Sequence, residues 1–455
     1  MSARFWILVV LLVVIIAAGV LGLPRVEGTP PTIGEIANLE LGHAPQTLVV
    51  DVSDADSGLR TVEVRLLAAG GTKTLAAYHF PGSLTSGSDA RNKRIEVPLD
   101  VSTLGLADGE ATLVVVARDW SLRNGLSGNS GERSTTLRID TKPPRLEVSS
   151  GLTYVYRGGS AAVVYRVGEE TDADGVEVAD AFFRGYPLAG EASVPGERVA
   201  IFAIPVDAPE DPRVRVVARD AAGNESEASF PVRIFERQFS ASSITLSRSF
   251  LDTKARPLAE SNGLAGASLG ESFRRVNETL RDLNEQRIRE AVRDSSSTRG
   301  WQGGFEQMRG SKVTSRFAEK RTYRWNDRPI SKATHYGFDL ASTRAASVTA
   351  ANGGTVVFAG DLGIYGRCII IDHGLGVHSL YGHLSVLNVT LGDTVTKSQG
   401  IGRSGATGLA GGDHLHFAIL VGEHYVDPLE WWDPKWVRSH IEWRLRPSGS
   451  THPNG

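Results

Sequence analysis

From about Pro30 onward, apolar and polar residues alternate in short runs broken by Gly, Asp and Ser. Leu48-Val49-Val50-Asp51-Val52 and Thr61-Val62-Glu63-Val64-Arg65-Leu66 flank the turn-rich stretch Ser53 to Gly58. Such alternation predicts paired antiparallel strands with one buried face. The pattern then repeats: Val115-Val116-Ala117-Arg118-Asp119 returns about a hundred residues later as Val216-Val217-Ala218-Arg219-Asp220, and Pro30-Pro31 returns as Pro143-Pro144. That spacing matches one β-sandwich and predicts two modules, residues 29–141 and 142–236. The period changes at Ser268-Leu269-Gly270-Glu271, an S-x-x-E helix start. Phe273, Val276, Leu280 and Leu283 follow three and four apart, so an amphipathic helix is expected over about 269–294, inside a linker of 237–300. The remainder is read as a third domain over 301–440, with strands around Val356, Ile370, Leu380 and Phe417, and a disordered tail over 441–455. The fold class expected is mainly β, with a helical connector.

The N-terminal 28 residues break this pattern. Phe5 to Leu23 carries no charge and, as a helix, approaches the thickness of a bilayer's hydrocarbon core. Arg4 flanks it on the short side, which favours an N-terminus inside and everything downstream translocated. No clean small-x-small site follows, so an uncleaved single-pass transmembrane anchor is expected rather than a signal peptide, with the remainder extracytoplasmic (periplasmic or cell-surface). Composition adds one exclusion: a net charge of −3 over 455 residues offers no basic excess for nucleic acid. The single cysteine, Cys368, rules out an intramolecular disulfide and sits in the apolar run Cys368-Ile369-Ile370-Ile371, as a core thiol would. Asp51, Asp54 and Asp56 lack EF-hand spacing and read as solvated turn carboxylates.

Chemistry concentrates near the C-terminal end, where seven of the eleven histidines fall between His335 and His424. In an extended strand, His414 and His416 share one face while Leu415 and Phe417 share the other. His335 and Asp339, four apart in an extended segment, also share a face. One histidine of the C-terminal pair would complete a set of two imidazoles and a carboxylate, the donors of an open zinc site. The remaining histidines, with His383 in Tyr381-Gly382-His383-Leu384-Ser385, are then available for acid/base work near neutral pH. No H-E-x-x-H motif occurs, which excludes the helical zinc site with a glutamate base. No G-x-S-x-G elbow occurs in this region either.

Several short motifs follow in order: His335-x-x-x-Asp339, Gly353-Gly354-Thr355-Val356-Val357-Phe358-Ala359-Gly360, Ile371-Asp372-His373-Gly374, Tyr381-Gly382-His383-Leu384-Ser385, Leu391-Gly392-Asp393, Gly405-Ala406-Thr407-Gly408, His414-Leu415-His416-Phe417 and Val426-Asp427-Pro428. Over about residues 310–433 this series resembles the lysostaphin/LytM-type zinc metallopeptidases, which cleave peptide bonds in bacterial peptidoglycan. The upstream modules resemble bacterial immunoglobulin-like domains. The first resemblance implies a small antiparallel β domain binding one Zn2+ through His335, Asp339 and His416. It implies that His383 and His414 serve catalysis, with a metal-activated water hydrolysing cross-links or stem peptides. It also implies peptidoglycan as partner, with the Ig-like modules as spacers or docking sites for cell-wall or division proteins. The alternative is a silent relative that binds and activates a wall amidase; such proteins have usually lost ligands, whereas all five positions are filled here. One departure stands out: Asp413, where the family often has an uncharged residue, could orient His414 or face solvent; the resemblance also implies that an upstream polar residue, Asn326 or Asp327, could take the open metal position.

Overall fold

The computed structural model describes Trp6 and residues 9–13, 26–68, 70–188 and 194–446. Among the described residues no helix is long and apolar enough to cross a membrane. The expected span Phe5–Leu23 lies largely outside them, as do residues 447–455 of the expected tail. The chain divides into two compact units, Met1–Pro143 with Arg219–Glu225, and Pro144–Ala218 with Ser226–Gly455.

The first unit is a two-sheet sandwich. A three-stranded sheet orders Thr32–Ile33, Gln46–Ser53 and Asn92–Leu99; a five-stranded sheet orders Leu39–Leu41, Ser130–Ile139, Gly109–Asp119, Leu59–Ala68 and Gly71–His79. The alternation read from the sequence is the packing itself: Leu48, Val50 and Val52 from one sheet and Val62, Val64 and Leu66 from the other enter one core. Asp54 departs from the expectation of solvated carboxylates. It is 5% exposed, its Oδ1 accepts from the Gly58 backbone at 2.5 Å, and it lies beside Asp119 and Glu27. The Ser-Gly turn folds its side chain inward to satisfy the backbone.

In the second unit, two four-stranded sheets formed by residues 146–229 pack against a larger, eight-stranded sheet. The path of that sheet runs Lys312–Ser315, Phe338–Ala341, Leu415–Val421, Val377–Leu384, Arg367–Gly374, Gly354–Asp361 and Thr394–Val395, antiparallel throughout, with His424–Val426 paired to Leu415–Val421. Its central strands are near-continuous apolar runs because both faces are covered. Leu415, Phe417, Ile419 and Val421 join a core with Phe202, Trp301 and Trp431, while Ala418 and Leu420 face Val276, Leu280 and Ile288 of the helical segment. Cys368 lies in this second layer, where burial pushes its thiol up.

The helical segment runs through Leu269–Arg275, a π turn at Val276–Leu280, and Arg281–Val292. Ser268 caps it, accepting from Glu271 N at 3.2 Å, while Glu271 Oε2 accepts from Ala267 N at 2.9 Å. Leu283 is exposed instead of continuing the apolar stripe, because the π turn adds a residue and rotates the next turns of the helix. The stretch before it is structured as well. Strand Ala241–Thr245 pairs in parallel with Glu319–Trp325, which pairs with Arg328–His335 to make a three-stranded sheet. At the C-terminal end, Val437–Glu442 is helical and Ile441 is buried, so order runs past the expected start of the tail.

Candidate metal centre

Strand register brings the site together. Asp339 sits directly opposite His416 on one side, and Gly382 sits opposite His416 on the other. His335 arrives from a different sheet: it ends the strand Arg328–His335, and the chain turns through Tyr336-Gly337 before Asp339. The two ligand candidates are therefore neighbours across a corner, not along one extended segment. Gly337 is required there, since a Cβ at this position would come within 2.6 Å of His416 Cε1 and 2.7 Å of the Phe417 carbonyl.

Three donor atoms converge. His335 Nε2 lies 2.9 Å from Asp339 Oδ1 and 3.0 Å from His416 Nδ1, and His416 Nδ1 lies 3.1 Å from Asp339 Oδ1. His335 Nδ1–H donates to the Arg316 carbonyl at 3.1 Å, which fixes the tautomer and turns the Nε2 lone pair inward. Two imidazole lone pairs and a carboxylate oxygen in mutual contact repel unless a cation or proton lies among them. The donor set, its spacing and its burial fit a divalent cation of the zinc type, which takes N and O ligands at about 2.0–2.2 Å. Burial opposes the charge of Asp339, but His335, His414 and His416 hold its carboxyl well below the usual range. Burial pushes His416 down to about 4, against the pull of Asp339.

His383 and His414 face the same cavity. Their rings are 4.8 Å apart, and the His383 ring is 5.9 Å from that of His416. His383 Nδ1–H donates to the Thr407 carbonyl and His414 Nδ1–H to the Gly412 carbonyl, each at 2.9 Å. Both rings therefore keep Nε2 for the cavity, and His414 Nε2 lies 3.5 Å from Asp339 Oδ1. Strand alternation alone would send His383 to the opposite face from His416. A left-handed backbone at His383, φ 62°, turns it back, a conformation that costs a non-glycine residue about 1–2 kcal/mol. Burial, with His414 and His416 nearby, pushes His383 well down; at His414 the bond and charge of Asp339 outweigh burial and push it up.

The cavity measures about 180 Å³ and includes residues that sequence reasoning did not single out: Arg281, Arg321, Tyr323 and Tyr365. Arg321 donates from Nη2 to Asp339 Oδ2 at 3.0 Å and from Nε to Glu319 Oε2 at 2.9 Å. It thus holds the second carboxylate oxygen while Oδ1 faces the histidines. Burial opposes its charge, but Asp339 and Glu319 keep it firmly protonated. Tyr336 also lines the cavity, stacked on Tyr425 at 5.2 Å.

The expectations for Asp413, Asn326 and Asp327 resolve differently. Asp413 neither orients His414 nor faces solvent freely; it accepts from Ala345 N at 2.9 Å and Ser404 Oγ at 2.6 Å, tying two loops together. Asn326 and Asp327 form an exposed hairpin turn with φ of 50° and 58°, and neither lines the cavity. His373 is buried between the Gly353 carbonyl and Ser379 Oγ, and Tyr381 accepts from Ala351 N at 2.8 Å; both are structural. His378 is fully buried 3.4 Å from Asp372 and does not reach the cavity.

The model of "Peptidase family M23" matches residues 333–428, which contain all five site residues. DD-carboxypeptidase/endopeptidase Mpg of Neisseria meningitidis is 33% identical over 129 residues, 28% of this chain and 29% of that protein. Peptidoglycan DD-endopeptidase ShyA of Vibrio cholerae is 33% identical over 121 residues, 26% of this chain and 27% of that protein. The chain thus spans under a third of these curated relatives, 29% and 27% of their lengths. Among solved structures, the catalytic domain of the antimicrobial peptidase lysostaphin from Staphylococcus simulans is 31% identical, with 90% of that domain and 26% of this chain covered and a TM-score of 0.23. Through residues 333–428, and with the family's His-Asp-His metal site formed by His335, Asp339 and His416, the chain carries a domain of peptidase family M23.

Proposed function

We propose that this protein is a zinc-dependent endopeptidase that hydrolyses peptide cross-links or stem peptides of bacterial peptidoglycan, working outside the cytoplasm. The observation that carries the reading is the convergence of His335 Nε2, Asp339 Oδ1 and His416 Nδ1 beside two further histidines whose Nε2 atoms face the same cavity. The names of the relatives, DD-carboxypeptidase/endopeptidase and peptidoglycan DD-endopeptidase, support the substrate class. The apolar stretch Phe5–Leu23 supports the location.

In this reading His335, Asp339 and His416 hold the ion, which when bound supplies a Lewis acid for the scissile carbonyl and makes water acidic near neutral pH. His383 and His414 divide the proton work. One accepts at Nε2 the proton of the attacking water; the other donates from Nε2 to the oxygen that gains charge in the transition state. The carbonyls of Thr407 and Gly412 hold Nδ1–H on both rings, so Nε2 accepts on the ring that is neutral and donates on the ring that is protonated. Arg321 fixes the Asp339 carboxylate, and Tyr336 and Tyr365 exclude water from the rim.

The test is zinc content together with muropeptide release from purified sacculi. His416→Ala is expected to lose zinc and cleavage together. His383→Ala and His414→Ala are expected to keep zinc while kcat falls about 10²-fold or more. A His416→Ala protein that retains both zinc and cleavage overturns the proposal.

A further inference from the structure

The cavity beside the metal ligands contains two arginines in different electrical states. Arg321 is neutralised, with Glu319 and Asp339 on its guanidinium. Arg281 is not. Its bonds go to one residue, from Nε to the Asn277 carbonyl at 3.1 Å and from Nη2 to Asn277 Oδ1 at 2.8 Å, and among the described residues it forms no ion pair.

That anchoring is a built one. Asn277 is buried and donates from Nδ2 to Ser331 Oγ at 2.8 Å, on the strand that ends in His335. The guanidinium is thus clamped to a ligand-bearing strand without losing its charge. Arg281 follows directly on the π turn Val276–Leu280, an irregularity that re-aims side chains and recurs at functional sites. It also lies outside residues 333–428, so the family match does not account for it.

Charge and size narrow the ligand. With a divalent cation on His335, Asp339 and His416, Arg281 adds to a surplus of positive charge facing the cavity. Its Nη1 is uncommitted among the described residues, and a planar guanidinium fork matches a carboxylate better than any other anion a peptide carries. At about 180 Å³ the cavity is smaller than the roughly 300–1,000 Å³ of ordinary ligand pockets.

We infer that Arg281 is a specificity-determining residue that pairs with a free carboxylate on the substrate residue adjoining the scissile amide. The inference rests on the peptidase reading above. The enzyme's substrates are then cross-links in which that carboxylate is unamidated, and amidation protects the bond.

The experiment compares two synthetic cross-linked muropeptides that differ only in whether that carboxylate is free or amidated, using the full chain loaded with zinc. Wild type is expected to cleave the free form with kcat/KM about 10- to 100-fold higher, the range of a charged hydrogen bond. Arg281→Gln is expected to lower kcat/KM on the free form about 10- to 100-fold more than on the amidated form, and Arg281→Lys to restore part of that difference. Zinc content and melting temperature report whether each variant is folded, and the wild-type comparison needs no variant. Equal cleavage of both substrates by wild type overturns the inference and leaves the peptidase reading intact. An equal loss on both substrates in folded, zinc-loaded Arg281→Gln does the same. Cleavage of neither substrate by zinc-loaded wild type overturns the peptidase reading, and the inference falls with it.

Discussion

His383 is the residue where local strain and chemistry coincide. Its φ of 62° places the ring beside His414, a direction that alternation along Val377–Leu384 forbids. Glycine tolerates that backbone and alanine does not, so His383→Gly is expected to be about 1 kcal/mol more stable than His383→Ala, although both lose the imidazole. Thermal denaturation of the two variants side by side checks this. Arg321 acts one step behind the ligands. Arg321→Met removes the donor from Asp339 Oδ2 and leaves a buried carboxylate free to rotate. Zinc affinity, read by competition with a chelating dye, is expected to fall about 10- to 100-fold. At this scale the sequence was legible where short motifs hold the candidate ligands: Asp339 and His416 are close because their strands pair, and His335 because it precedes Asp339 across the Tyr336-Gly337 corner. Arg281 was not legible, because only the docking of a helix against the strand carrying His335 brings it to the cavity. The aim of His383 was hidden too, since no side-chain pattern encodes a left-handed φ.

At the scale of elements, the helix Pro428–Trp432 presses Glu430 against the upstream sheets. Glu430 Oε2 accepts from Ser160 N at 2.9 Å, and Arg237 reaches both Glu430 and Asp427. Burial, helped by Asp427 and opposed by the Ser160 bond and Arg237, pushes the Glu430 carboxyl up to about 7. A carboxyl raised from 4.5 in the unfolded chain favours the folded state when protonated. Its contribution is therefore complete below about pH 4.5 and is lost as pH rises through about 7, a swing of about 3 kcal/mol. Wild type is expected to lose melting temperature between pH 5 and 8, and Glu430→Gln to flatten that slope. A slope that persists in the glutamine variant assigns it to other groups. The strand Ala241–Thr245 teaches a related lesson. Its alternating exposure is real, but its partner Glu319–Trp325 lies more than seventy residues downstream, so a local reading sees only a Ser-rich connector.

At the scale of the whole molecule, the two β-rich repeats fall mostly in different units despite their similar sequences, with Arg219–Glu225 of the second counted in the first unit. The upstream sheets of the second unit share one core with the metallopeptidase sheet, and Trp431 Nε1 donates to Ser160 Oγ at 3.1 Å while Asp427 N donates to the Gly158 carbonyl at 2.7 Å. These sheets act as a wall of the catalytic unit, a role beyond that of the spacer expected from the repeat. A chain begun at Pro144 is expected to unfold in one cooperative step that keeps the site intact. One begun at residue 237 uncovers Trp431 and Val426 and is expected to lose several kcal/mol or precipitate, as solubility and thermal unfolding would record. The mainly β class was legible because half-buried strands alternate; the shared core was not, because a strand buried on both faces reads the same whatever covers it.

The corner at Tyr336-Gly337 carries a last consequence. His335 belongs to the three-stranded sheet, whereas Asp339 and His416 belong to the eight-stranded one. A cation held by all three is therefore a further cross-link between two sheets that Tyr336-Gly337 and the Arg321–Asp339 ion pair already join here. Its occupancy enters the folding equilibrium: above the dissociation constant, each tenfold rise in free metal adds about 1.4 kcal/mol to the stability of that junction. The supply of metal then sets how firmly the walls of the cavity are held together, as well as how many molecules can react.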